Sequence, residues 1–134
     1  MRHRFIPFLI IILFLSISFS VYADEAQDYL NRGQSFYDQG KYQEAINALE
    51  NALKLQPDWA LAHSKLGQAY LQVGKTDQAI QSFQESIRLE PNSDIFHANL
   101  ALAFLINSDL ESAKKEYSIL KALDPEMARE IAKK

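Results

Sequence analysis

The side chains that could do chemistry are few in this 134-residue chain. Beyond the first 23 residues the only histidines are His63 and His97, 34 positions apart. A helical zinc site needs a second ligand one turn away, as in His-x-x-x-His. No His, Asp or Glu stands four residues from either histidine. The pair reads instead as equivalent packing residues at the starts of two equivalent helices. Paired acids occur at Asp24-Glu25 and at Glu111 with Glu116, all on faces expected to meet solvent. A nucleophile needs a base and an orienting partner, and no side chain has such a set. The chain has no cysteine, which removes disulfides, thiolate zinc sites, cysteine nucleophiles and lipid attachment at a cysteine. Its four glycines, Gly33, Gly40, Gly67 and Gly74, belong to helical hairpins and not to a phosphate loop after a strand. The expectation is a protein that is not an enzyme, with no cofactor and no metal.

Charge narrows the partners. The chain carries 14 bases and 17 acids, and without Arg2 and Arg4 of the N-terminal segment the balance is 12 to 17, or −5. The bases are not clustered. Binding to nucleic acid needs a basic stripe that displaces counterions from phosphates, so a nucleic-acid surface is not expected.

The elements that would carry any site follow a period of 34 residues. Gly33, Gly40, Ala45 and Pro57 fall on Gly67, Gly74, Ala79 and Pro91, and Ala113 and Pro125 continue the register. The stretch from Gly67 to Pro91 is the most regular: an apolar-periodic helix, a glycine turn, a second helix and a proline stop. Helical spacing predicts helices over 25–38, 42–55, 60–72, 76–89, 94–106 and 110–123, with a short one over about 126–133. Gly40 and Gly74 supply the left-handed residue that ends a helix. In the third unit Asn107 is expected to take that conformation. Asp58, and Asn92 or Ser93, are the expected N-caps of the third and fifth helices, and Asp124 with Pro125 that of the last. Gly33 and Gly67 allow close helix contact, with Ala45, Ala52 and Ala79 opposite. Phe36, Tyr70, Phe104, Phe83 and Tyr117 fill the space between. The result is an all-α solenoid, in which each hairpin buries its apolar flank only by stacking on the next.

Residues 1–23 are different. Arg2 and Arg4 precede an apolar stretch, Phe5 to Phe19, and Val21 and Ala23 precede Asp24 as small residues do before a cleavage site. This is the form of a secretory signal peptide. The alternative is an uncleaved anchor over residues 5–22, at the lower limit of a bilayer span. Asp24 and Glu25 would then begin the mature chain, where acids suit a helix N-terminus.

In its glycines, alanines, aromatics and prolines, the pattern resembles the tetratricopeptide repeat. Repeats lie at about 26–59, 60–93 and 94–127, within a domain of residues 24–134. Repeat two fits best, with Leu66-Gly67, Tyr70, Gly74, Ala79, Phe83 and Pro91. Departures are His63 and His97 at the aromatic position that Tyr29 holds, Arg32 for Leu, Ala101 for Gly and Leu120 for Ala. The last suits a terminal repeat under a short capping helix.

The resemblance implies a concave groove lined by the first helix of each hairpin, which takes a peptide or helix of a partner protein. By position the groove residues are Gln27, Leu30, Gln34, Tyr37 and Asp38, then Leu61, Ser64, Gln68, Leu71 and Gln72, then Ile95, Ala98, Leu102, Leu105 and Ile106. The series passes from mixed polar to apolar. Relatives that clamp a C-terminal carboxylate use Lys, Asn and Arg at positions held here by Leu30, Gln34, Lys65, Ile95 and Asn99. Only Lys65 could serve, so no such clamp is expected. The functional expectation is a non-catalytic scaffold in the bacterial cell envelope, exported to the periplasm. It would meet the membrane only through the N-terminal segment if uncleaved. The alternative is a self-associating structural subunit, a homodimer through the apolar end.

Overall fold

The computed structural model describes residues 6–133, without the side chains of 6–8 and 13–20. Arg2 and Arg4 lie outside the described residues. Among those described, seven helices and no strand are found: α1 (Ile6–Asp38), α2 (Tyr42–Leu55), α3 (Ala60–Gln72), α4 (Thr76–Leu89), α5 (Asp94–Ile106), α6 (Leu110–Leu123) and α7 (Pro125–Ala132). The helices form three stacked hairpins, α1–α2, α3–α4 and α5–α6, and α7 lies on α6. The fold is an all-α solenoid.

α1 departs from expectation at its start. It runs unbroken through Ala23, because nothing from Val21 to Ala26 stops a helix. Asp24 and Glu25 therefore sit in mid-helix and not at an N-terminus. Before them, Leu9, Ile10, Ile11, Ile12, Val21 and Tyr22 are exposed.

Each hairpin turns by the same hydrogen bonds. Gly40 and Gly74 have φ of 73° and 75°. The next residue's N–H returns to the helix: Lys41 to Phe36 O and Lys75 to Tyr70 O, both 2.9 Å. This closes the carbonyls that a helix end leaves open. The third turn repeats it, with Asp109 N–H donating to Phe104 O at 2.9 Å. The left-handed residue there is Ser108, φ 61°, whereas Asn107 has φ −79°. Counting the period from Gly40 and Gly74 leads to 108, and the geometry obeys the period over the residue preference.

Two expected caps are absent. Asp58 precedes the N-cap, which is Trp59, and its carboxylate stands 3.7 Å from Arg88 instead. Ser93 occupies the N-cap of α5 but its hydroxyl makes no cap bond, and Asn92 lies outside the helix. Side-chain capping occurs at Asp109, which accepts from Ser112 N–H at 3.1 Å. It is stronger at Asp124, which accepts from Glu126 and Met127 N–H, both 2.9 Å. Asp124 has a structural consequence. Pro57 and Pro91 fall in loops three residues before a helix starts, whereas the equivalent Pro125 is the first residue of α7. A capping carboxylate replaces Gln56 and Glu90 of the earlier repeats, so α7 begins a turn early.

Within the first two hairpins a large side chain of the second helix lies on a glycine of the first. A Cβ on Gly33 would come to 2.7 Å from Leu49, and one on Gly67 to 2.6 Å from Phe83. Leu49 and Phe83 are buried, as are Ala45, Ala52 and Ala79 beside them. Burying a Phe or Leu contributes about 1.5–3 kcal/mol, and here the missing Cβ permits it. In the third hairpin Ala101 replaces the glycine, and Tyr117, equivalent to Phe83, stays half-buried. Leu120 is fully buried.

The array curves. α1 packs on α3 and α3 on α5, while no comparable packing joins α2 to α4 or α4 to α6. The first helices therefore line the inside of the curve.

Gly67→Ala should destabilise the protein. Helix propensity favours Ala by roughly 1 kcal/mol, but overpacking costs about 1–3 kcal/mol and buried Phe83 has no room to retreat. A urea midpoint at or above the parent's would refute this. Ser108→Gly should raise stability by about 1 kcal/mol by removing the left-handed strain; an unchanged urea midpoint counts against it.

Candidate partner-binding groove

The inner face is set by which side of each first helix is left after the helix packs on its own partner and on the neighbouring hairpin. Positions three and four apart share a face. The structure removes two expected groove residues. Leu30 is 4% exposed and belongs to the core with Ala45, Ile46 and Leu49. Ser64 is 2% exposed, too deep to meet a partner. Both stand one position too close to the helix–helix seam.

The first part of the groove is polar and satisfied within itself. Lys65 Nζ donates to Gln34 Oε1, and Gln34 Nε2 donates to Asp38 at 2.7 Å. Gln72 Nε2 donates to the Tyr37 hydroxyl at 3.3 Å. Asn99 Nδ2 donates to Ser64 Oγ at 3.1 Å. Each of the three links between hairpins ties one first helix to the next, as rungs across the inner face. Gln68 and Leu71 are half-buried between them. Of the positions used for a carboxylate clamp, Leu30 is buried, Ile95 is aliphatic, and Gln34, Lys65 and Asn99 are engaged in these rungs.

The other end is apolar and open. Ile95, Leu102, Leu105 and Ile106 are 47–54% exposed, and Leu61 of α3, equivalent to Ile95, is exposed too. These four lie on one side of α5, and α7 does not cover them.

The histidines and acids are placed away from the groove. His63 Nε2 bonds the Pro57 carbonyl and His97 Nε2 the Pro91 carbonyl, both at 2.8 Å. Each histidine thus pins the loop that enters its own helix, which is the packing role read from the 34-residue spacing. Glu116 is not on a solvent face. Its carboxylate meets His97 Nδ1 at 2.6 Å, with both side chains largely buried. The pair is 19 residues apart on different helices, a separation that no helical spacing signals. His63 has Ser82 at the corresponding place. Tyr70 joins two hairpins by donating its hydroxyl to Glu50 at 2.8 Å. Burial first, then the Glu50 bond and its charge, push the Tyr70 hydroxyl up to about 12. None of these groups is gathered into a catalytic set.

Residues 33–74 match the family model described as TPR repeat, and residues 60–93 the one described as tetratricopeptide repeat. Residues 33–93 of the chain are tetratricopeptide repeats. Solved structures share its fold. The first TPR of Spaghetti (RPAP3) bound to the HSP90 peptide SRMEEVD is 22% identical, with a TM-score of 0.75 over 83% of this chain and 93% of that one. The Arabidopsis OM64 TPR domain is 16% identical, with a TM-score of 0.78 over 84% and 93%. MamA is 25% identical, with a TM-score of 0.73 over 80% of this chain and 63% of its own. No curated protein matches the chain. Tetratricopeptide repeats typically serve as interaction modules.

Tyr70 gives a pH test. Its raised value means that the neutral hydroxyl is favoured in the folded state, so its contribution is complete below pH 10 and disappears as pH climbs from 10 towards 12. The stability difference between the parent and Tyr70→Phe, from urea melts at pH 8 and pH 11.5, should shrink at the higher pH. A difference that stays constant contradicts the assignment.

Proposed function

We propose that the chain is a non-catalytic scaffold that holds a peptide or helix of a partner protein in its concave groove. One observation supports this most: four exposed aliphatic side chains on α5, next to a polar stretch whose groups already bond each other. A ligand gains little from polar groups that are satisfied, and most from burying apolar anchors. Ile95, Leu102, Leu105 and Ile106 offer that burial. The Spaghetti (RPAP3) domains, each bound to an HSP90 peptide, are consistent with peptide capture on this fold. The present groove favours a different ligand, because the positions of a carboxylate clamp are buried, apolar or engaged. The partner is a protein segment with a hydrophobic anchor.

We place this scaffold in the bacterial envelope, exported to the periplasm by residues 1–23. Cleavage after Ala23 would leave Asp24 and Glu25 in the first turn of a shortened α1, where carboxylates oppose the helix dipole favourably. Without cleavage, the same segment would tether a membrane-bound adaptor.

A photo-crosslinking residue at Leu102 should capture one discrete protein in native envelopes, and the same residue at Gln81 on α4 should not. Adding Ile106→Asp should abolish the capture with helical content unchanged. Equal capture from both positions would sink the groove assignment. The mass of the N-terminus in the same preparation reports cleavage.

A further inference from the structure

In the regular part of the array, each first helix packs on both helices before it: α3 on α1 and α2, α5 on α3 and α4. α7 breaks the rule. It packs on α6 and makes no comparable contact with α5. A cleft of about 290 Å³ remains, bounded by Ala101 and Leu105 of α5, by Leu110, Ala113, Lys114 and Tyr117 of α6, and by the last turn of α7. Its walls are almost wholly apolar, and Leu110 is 58% exposed.

The chain itself contains the same socket filled. One period earlier, Leu71, Ala79, Ile80 and Phe83 correspond to Leu105, Ala113, Lys114 and Tyr117. There Leu100, Ala103 and Phe104 of α5 pack on them. The cleft thus continues the inter-repeat interface by one further position. The side chains that fit are those of a helix with Leu, Ala and Phe at i, i+3 and i+4. Two residues change character: Lys114 is a 73% exposed cation where Ile80 stands, and Leu110 is aliphatic where Thr76 stands.

We propose that this cleft is a second docking site, distinct from the groove, and that it takes an amphipathic helix of a partner protein with a Leu and a bulky aromatic one turn apart. The partner helix lies against α5 and α6 beyond the last turn of α7, where its Leu, Ala and aromatic side chains take the places that Leu100, Ala103 and Phe104 hold in the preceding socket. Leu105 is shared by cleft and groove; Leu110 and Lys114 belong to the cleft alone.

The probe is a soluble 16-residue helical peptide with Leu, Ala and Phe at the spacing of Leu100, Ala103 and Phe104, and Glu, Lys and Gln elsewhere. It is fluorescently labelled and titrated with the full chain by anisotropy. Saturable binding is expected. Leu110→Glu should weaken it at least tenfold, and Lys114→Ile, which restores the residue of the preceding socket, should tighten it about tenfold. Leu102→Asp, in the groove, should leave it unchanged. Absence of saturable binding overturns the proposal, as does loss in Leu102→Asp with none in Leu110→Glu. A dimer in sedimentation that Leu110→Glu dissolves and the peptide fails to displace assigns the cleft to a second copy, and overturns it too. Because the groove variants are scored separately, failure here leaves the groove reading standing.

Discussion

The structure depends on one contact, a large side chain seated on a glycine of the facing helix. Leu49 on Gly33 and Phe83 on Gly67 would clash with any Cβ. With hydrogen there, the helices of a hairpin close until their backbones nearly meet. Ala45, Ala52 and Ala79 keep the second helix equally thin. The depth of each hairpin then sets where the next can stack, and so the curvature of the array. In the third hairpin Ala101 stands at the glycine position, and Tyr117, which no described helix covers as α5 covers Phe83, is half-buried beside the cleft.

Polar contacts then divide the labour. His63 and His97 hold the loops that enter α3 and α5 by bonding the carbonyls of Pro57 and Pro91. A proline there stops the preceding helix but leaves its own carbonyl needing a donor, and a histidine six residues on provides one. Across the inner face, Lys65, Gln72 and Asn99 each reach back to the preceding repeat. Such bonds are worth about 0.5–1.5 kcal/mol each, modest beside the apolar core. Their larger effect is on recognition, since they occupy the polar groups that a ligand would otherwise use.

Local rules made much of this legible. The bounds of α2 to α6 follow from glycine, proline and apolar period, each of which acts within a few residues. The failures occurred where a longer-range term wins. Ser108 takes the left-handed turn over Asn107 because the hairpin closure fixes the position by period, at a conformational cost that the stacked hairpins impose. Asp58 turns to Arg88, 30 residues away, and leaves its helix start uncapped. Glu116 looked like a solvated acid, since its buried partner His97 is on another helix. The apolar end of the groove was readable because four aliphatic residues share one face of α5. The burial of Leu30 and Ser64 was not, because a rotation of the helix by one position decides between seam and groove.

The third repeat shows why departures from a repeat carry the information. A residue that matches the period is explained by stacking and says little about partners. Residues 101, 108, 110, 114, 116 and 124 all depart from the residues one period earlier. Ala101 fills the position that glycine holds in the earlier hairpins and is itself buried. Asp124 caps α7 and starts it a turn early. Leu110 replaces Thr76 with an aliphatic side chain that no described residue covers. Glu116 secures His97, so the entry to α5 stays rigid even though its outer flank is open. These changes fall on α5, on α6, in the turn between them and at the start of α7, around the apolar surfaces that the described residues leave uncovered.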